Sequence, residues 1–289
     1  MINLRTQLLA LTMTEGIGLV TRTRLLHFII SGNLPTQYPW SLETITRLAE
    51  PQQCMRIAQS YDKALDRAST FQLPYLSYFD EAYPEALREI HQPPLILFYE
   101  GNLDALKLPS LSVVGTRLAT PYGLETIRHL LPTVISKGIS IVSGLAQGID
   151  VMAHQITFAA CGVPIGVIGT GLDVVYPNRH AALQKQIANS GLLISEYPAG
   201  SKPLRSHFPE RNRIIAGLSS ATLVIEAKKR SGSLITANLA LQNNRDVLAV
   251  PGSIFSETAQ GTNELLSLGA KLVVQPEDIL ESVQLLNTI

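Results

Sequence analysis

This chain of 289 residues is poor in several things, and each shortage excludes a class of protein. It has two cysteines, Cys54 and Cys161, far apart in the sequence. Two such residues build neither a disulfide framework nor a metal cluster, and they read as buried small apolar residues in a reducing cytosol. No apolar run approaches the roughly 18 to 20 residues that span a bilayer. The N-terminus, MINLRTQLLALTMTEGIG, lacks the apolar core and cleavage pattern of a signal peptide, so the expected location is cytoplasmic. Charged residues make up only 16%, and the formal net charge is zero, which argues against an indiscriminate polyanion binder. There is no internal repeat, no low-complexity tract, no HExxH, no nucleophile elbow and no Walker lysine.

What is present is 46% hydrophobic residues, enough for one large domain plus a small one. Residues 1–72 read as helical. Leu4, Leu8, Leu9 and Leu11 precede a break at Glu15-Gly16-Ile17-Gly18, and an apolar periodicity resumes from Leu19 to Ile30. Ser41 is a candidate N-cap and Pro51 a candidate first-turn residue. The Gly-Ile-Gly break followed by Arg22 and Arg24 has the form of a helix-hairpin-helix, where amides meet a phosphate. The plainer reading is a small helical module.

Residues 73–108 are rich in proline and tyrosine and read as a connector that adds an edge strand at Leu95–Tyr99. From Leu111 onward strands alternate with helices. The expected strands are Leu111–Gly115, Ile139–Ser143, Pro164–Ile168, Leu192–Ser195, Thr222–Glu226, Asp246–Val250 and Lys271–Val274. Helices are expected at Tyr122–Lys137 and Leu234–Asn243, among others. Short apolar strands alternating with helices predict an α/β fold with a doubly wound, mostly parallel sheet over residues 73–289.

In such sheets ligands sit beyond the carboxyl ends of the strands. Those ends carry Gly115-Thr116-Arg117, then Ser143-Gly144 running to Asp150, then Gly169-Thr170-Gly171, then Tyr176-Pro177-Asn178-Arg179. Several glycine-rich loops at one end of a sheet, with Arg117 added, predict an anion site. Asp150 and His154 share a helix face and read as a helix-start carboxylate with a packing histidine, or else as an acid–base pair.

The basic residues concentrate between Ser195 and Ala237. Lys202, Arg205, Arg211, Arg213, Lys228, Lys229 and Arg230 face only Glu196, Glu210 and Glu226. Phe208, Asn212 and the run Ser231-Gly232-Ser233 lie among them. Cations, an aromatic face and free amides are the parts of a single-stranded nucleic-acid groove. Arg211, Asn212 and Arg213 are consecutive, so at most two of them can face one groove.

The motifs VVGTR (113–117), SGLAQGID (143–150), GTGLDVVYP (169–177), SEYPAG (195–200), FPERNRIIAGLS (208–219), SGSLITA (231–237) and DVLAVPG (246–252) occur in this order. In them the chain closely resembles the DprA/Smf family of DNA-processing proteins, over about residues 73–276. The resemblance implies a Rossmann-like core with a small sterile-alpha-motif-like helical domain at 1–72. It implies a protein that binds single-stranded DNA, forms a homodimer, loads the RecA recombinase during natural transformation, and helps displace single-stranded-DNA-binding protein. It implies no catalytic residues, no cofactor and no metal.

Carried onto this sequence, the pocket comprises Gly115, Thr116, Arg117, Arg205, Phe208 as stacking ring, Arg211, Asn212 and Lys228. Ser143, Gly144, Ser231, Gly232 and Ser233 supply amides and hydroxyls. A basic residue often follows the YP pair; here Asn178 stands there and Arg179 comes next. The winged-helix domain that many members carry at the C-terminus is not expected in a chain ending at Ile289. The dimer contact is expected at Leu272 to Leu286. The competing reading is a nucleotide-processing enzyme of the lysine-decarboxylase-like type. It rests on a resemblance of Pro251-Gly252-Ser253 and Gly261-Thr262-Asn263-Glu264 to that type's glycine-rich loop, with Ser253 in place of its second glycine and the final carboxylate out of register. Separately, Glu196, Glu226 and Asp173 are candidate carboxylates for a hydrolase.

Overall fold

The structure is a computed structural model that describes residues 2–284. Four helices come first: α1 (Leu4–Met13), α2 (Leu19–Ile30), α3 (Leu42–Thr46) and α4 (Pro51–Ser69). Asn3 caps α1 by accepting the Thr6 amide at 2.9 Å, and Pro51 opens α4. The break between α1 and α2 falls at Gly16, whose φ of +89° suits glycine. Arg22 turns inward and donates to the Thr12 carbonyl, and Arg24 pairs with Glu50. Neither is left for a phosphate, so the helix-hairpin-helix reading gives way to the plain helical module.

The rest builds one nine-stranded sheet in the order β1-β2-β6-β5-β4-β3-β7-β8-β9. The strands are β1 (Tyr75–Ser77), β2 (Ile96–Gly101), β3 (Ser110–Val114), β4 (Ser140–Ser143), β5 (Pro164–Ile168), β6 (Leu192–Ser195), β7 (Ala221–Val224), β8 (Asp246–Ala249) and β9 (Lys271–Leu272). β3 to β9 are parallel, while β1 and β2 run antiparallel at one side. The strand expected at Leu95–Tyr99 is β2. It lies one position in from the edge because Tyr75–Ser77 adds a further strand.

Helices cover both faces, so the strands are apolar on both sides. On one face α6 (Pro121–Ser136), α7 (Ile149–Ala159) and α12 (Pro276–Gln284) pack over Leu111, Val113, Ile141 and Leu223, and α8 (Ala181–Ser190) packs over Ile168 and Leu193. On the other, α5 (Glu85–Arg88), α9 (His207–Leu218), α10 (Gly232–Gln242) and α11 (Gln260–Ser267) pack over Val114, Val142, Val167 and Val224. Under the end of α9 the sheet turns polar: Ser112 donates to the Ile215 carbonyl at 2.7 Å and Ser110 to the Leu218 carbonyl at 3.0 Å.

The helical module packs on the antiparallel side of the sheet, where Leu95, Ile96 and Phe98 join Leu8, Leu25, Ile57 and Tyr61 in one core. A buried ion cluster lies at this junction. Glu196, just past β6, meets Arg213 of α9 on one side and Arg22 of α2, 3.5 Å away, on the other. At the opposite edge Ile279 and Val283 are buried over the sheet, whereas Leu268, Leu272 and Val274 are exposed. Of the expected dimer segment, Leu286 lies outside the described residues.

Candidate nucleic-acid interface

The chain runs β3 to β6 towards one side, then returns past β3 to lay down β7, β8 and β9 on the other. The strand order therefore reverses between β3 and β7, and a crevice opens at their carboxyl ends. A cleft of about 540 Å³ fills it. The loop after β3 contributes Gly115, Thr116 and Arg117; the start of α9 contributes Arg205, Phe208 and Asn212; the loop after β7 and the start of α10 contribute Lys228, Ser231, Gly232 and Ser233. Residues up to 118 apart in sequence thus meet at one site.

Local chemistry explains the shape. Gly148 has φ +85°, and a Cβ there would come within 2.3 Å of the Thr116 carbonyl, so the loops after β3 and β4 touch backbone to backbone. The first α7 amide, that of Ile149, donates to the same Thr116 carbonyl at 3.2 Å. At α10 the first intrahelical bonds come from Leu234 and Ile235 to the Ser231 carbonyl. Gly232 and Ser233, whose amides come ahead of them at the helix start, line the cleft, and helix N-termini present such amides at anion sites. The Ser231 hydroxyl is buried without a hydrogen-bond partner, although it lines the cleft.

Charge is layered. Arg117 and Arg205 are exposed at the rim and have no ion-pair partner among the described residues. Lys228 is also exposed, but its Nζ pairs with Glu257 at 2.6 Å. Arg179 stands in a side chamber of about 200 Å³ that shares Arg117, Tyr176 and Phe208 with the main cleft, and it is bonded to Gln147.

Three of the expected site residues have a different job. Arg211 is 5% exposed and spends its guanidinium on the carbonyls of Gly144 and Val167 and on the Asn212 side chain. It is a charged beam in the floor, where it lines both the main cleft and the side chamber. Ser143 is fully buried and donates its hydroxyl to the Val113 carbonyl at 2.6 Å. The Gly144 and Ala146 amides serve the Asp150 carboxylate. Within the first loop the Thr116 amide is already used by the Glu226 carbonyl at 2.8 Å, so Arg117 carries that loop's contribution. Arg213, counted with the basic wall, is buried against Glu196. Lys202, Lys229 and Arg230 are exposed but do not line the cleft.

Asp150 lies at the cleft's base. Burial raises its carboxyl to about 6, against the opposing pull of Arg211. His154, one turn on, is fully buried and pushed down to about 4, chiefly by burial, so it is neutral. Both are buried, and no hydrogen bond joins them among the described residues. The carboxylates that could serve a hydrolase are dispersed and engaged. Glu196 holds arginines, Glu226 accepts from Thr120 and Thr258, and Asp173 accepts the Gly200 amide at 2.8 Å. No group of three or more potential metal ligands occurs among the described residues. Likewise, no described helix is long and apolar enough to cross a membrane.

One cleft residue was absent from the expected site. Tyr176 is 47% exposed, and its ring centroid lies 5.4 Å from that of Phe208 at 42°. The two rings form an aromatic step between main cleft and side chamber. The only sequence signal was the position of Tyr176 just past a strand end. Free cations, paired rings and open amides together suit a phosphodiester with unstacked bases.

Comparison with known proteins identifies the family. The family described as DNA recombination-mediator protein A matches residues 74–284. DNA processing protein DprA of Streptococcus pneumoniae is 47% identical over 207 residues, covering 72% of this chain and 73% of that protein. Protein Smf of Escherichia coli is 45% identical over 205 residues, covering 71% of this chain and 55% of that protein. The X-ray structure of the pneumococcal protein superposes with a TM-score of 0.86 at 39% identity, over 98% of this chain and 99% of that one. DNA processing protein A from Helicobacter pylori, whose single-stranded DNA binding mode has been studied structurally, matches with a TM-score of 0.66 at 29% identity, over 75% and 98%. By sequence and by fold, this chain belongs to the DNA recombination-mediator protein A family, that of the DprA and Smf proteins.

Proposed function

We propose that the chain binds single-stranded DNA in the cleft at the β3/β7 reversal and hands it to a RecA-type recombinase. The observation that carries the reading is the conjunction of the unpaired Arg117 and Arg205 with the Tyr176–Phe208 step and the α10 N-terminus in one cleft. Phosphates bind the cations and amides, and bases stack on the rings. The similarity to the H. pylori protein supports the same ligand. Binding without turnover fits the internal engagement of Glu196, Glu226 and Asp173.

A cleft with few free cations binds each stretch of DNA weakly, so two copies acting together supply the remaining affinity. The exposed Leu268, Leu272 and Val274 at the β9 edge are the surface for a homodimer. Displacement of single-stranded-DNA-binding protein and loading of RecA in natural transformation, in the cytoplasm, complete the proposed role.

The test is fluorescence anisotropy with a single-stranded oligonucleotide and its duplex, across salt, for wild type and Arg117→Ala. Preference for the single strand is expected. The log–log salt slope should be about −0.7 per phosphate contact and should drop by about one contact in the variant. Equal binding of the duplex, or no binding at low salt, overturns the reading.

A further inference from the structure

A second cavity, of about 550 Å³, opens where β7 and β8 end, beside the first turn of α6. Tyr122, Ser253, Ser256 and Thr258 line it, with Ile225 and Glu226 in its floor. No lysine, arginine or histidine is among its described lining residues, and Glu226 is the one charged group there. The Glu226 carboxylate accepts the Thr120 amide at 2.9 Å, the Thr120 hydroxyl at 2.6 Å and the Thr258 hydroxyl at 2.9 Å. A carboxylate beneath the cavity repels phosphate. What the walls offer instead is hydroxyls, aliphatic carbon and the half-exposed ring of Tyr122. That ring is held in place, because its hydroxyl donates to the Pro251 carbonyl at 2.6 Å. An uncharged, flat ligand with a polar edge fits these walls, and a nucleobase is such a ligand.

The two cavities share a wall. Lys228 lines the first, and its partner Glu257 sits between Ser256 and Thr258 of the second. Main-chain bonds tie the wall to both sides: Thr116 donates to the Glu226 carbonyl at 2.8 Å, and Ala227 donates to the Thr258 carbonyl at 2.7 Å. A cation on the ridge between a cationic cleft and a neutral one is placed for the phosphate that joins two nucleotides. Ile254 and Phe255, on the loop between two lining serines, are 78% and 92% exposed and offer further apolar surface at the mouth.

We infer that the second cavity is a nucleobase subsite of the same DNA strand. A base lies against Tyr122, and the phosphate preceding or following it takes Lys228 from Glu257. This rests on the single-stranded DNA reading above and extends it by one side of the sheet.

The experiment is an oligonucleotide length series, from a trinucleotide to about 20 nucleotides, titrated into wild type, Tyr122→Ala, Ser253→Trp and Glu257→Gln. Circular dichroism confirms that each variant is folded. Tyr122→Ala and Ser253→Trp should weaken binding of long oligonucleotides by about tenfold, the size of one lost stacking contact, and leave the shortest unchanged. Glu257→Gln should tighten long-oligonucleotide binding. A fluorescent aminopurine moved along the strand should be quenched at a position where Tyr122→Ala removes the quenching.

Equal affinity of Tyr122→Ala, Ser253→Trp and wild type at every length overturns the subsite. So does the same loss at every length, which would place the effect in the first cleft. If the wild type binds no length, the single-stranded DNA reading fails as well. If it binds and Phe208→Ala weakens every length, that reading stands whatever the second cavity does.

Discussion

Arg211 Nη1 lies 2.6 Å from the Gly144 carbonyl and also bonds the Val167 carbonyl, so one buried guanidinium ties α9 to the ends of β4 and β5. A Cβ at position 144 would come within 2.5 Å of that nitrogen. Gly144 therefore serves Arg211, and Arg211 holds the helix that carries Phe208 and Asn212.

Arg211→Ala should cost about 3 kcal/mol of stability, because two carbonyls and the Asp150 carboxyl lose a charged partner in the interior. Urea unfolding measures this. Gly144→Ala should reproduce part of the loss. Stability equal to wild type in both would mean the beam carries no load.

Phe208→Ala should weaken single-stranded DNA binding by about 1–3 kcal/mol, and Phe208→Trp should keep most of it, since any aromatic face stacks a base. Tyr176→Ala should act in the same direction. Because neither ring neutralises a phosphate, the salt slope should not change in either variant. A changed slope would assign the ring a different part.

Asp150 and His154 push the pH dependence in opposite directions. The raised Asp150 carboxyl, about 6 in the fold against 3.8 unfolded, gives stability that is present in acid and lost as pH rises through about 6. The lowered His154, about 4 against 6.5, gives stability that is present above about 6.5 and lost as pH falls towards 4. Between pH 4 and 6 the two slopes cancel. Asp150→Asn should expose the histidine term, and its stability relative to wild type should rise with pH by up to about 1.4 kcal/mol per unit. Chemical denaturation at pH 4.5, 5.5 and 6.5 tests it; parallel profiles for the two proteins would refute the opposed titrations.

Glu196 lies between Arg22 and Arg213, with one negative charge for two positive ones. Glu196→Gln should destabilise by about 3–5 kcal/mol, the cost of buried charges left without their partner. Adding Arg22→Met removes one of the stranded cations and should recover part of that loss. Thermal unfolding of the single and double variants gives the coupling. The lone tryptophan, Trp40, is buried in the helical module and reports whether that module stays folded. No recovery in the double variant would sever the proposed electrostatic link between module and core.

Much of this protein was legible in one dimension. Alternating short apolar strands and helices determined a mostly parallel sheet, because strands covered on both faces need apolar residues on both. The loops at the strand ends and the Phe208–Asn212 segment marked the ligand side, because helix starts and glycine turns collect there. Arg117, Arg205, Phe208 and Lys228 all reach one cleft.

The tertiary structure alone decided which basic residues remain available. Arg205, Arg211 and Arg213 are alike in the sequence, yet burial turns the last two into internal struts. Two apart on α9, they point to different sides of a helix that is buried nearly all round, and the carbonyls and carboxylate waiting there come from distant segments. Nor can a linear reading see that Ser143 spends its hydroxyl on Val113, or that Tyr176 joins Phe208 across 32 residues. Composition and local pattern determine which elements form. Which polar groups are consumed inside and which stay free for DNA depends on long-range packing, where each buried donor must find an acceptor.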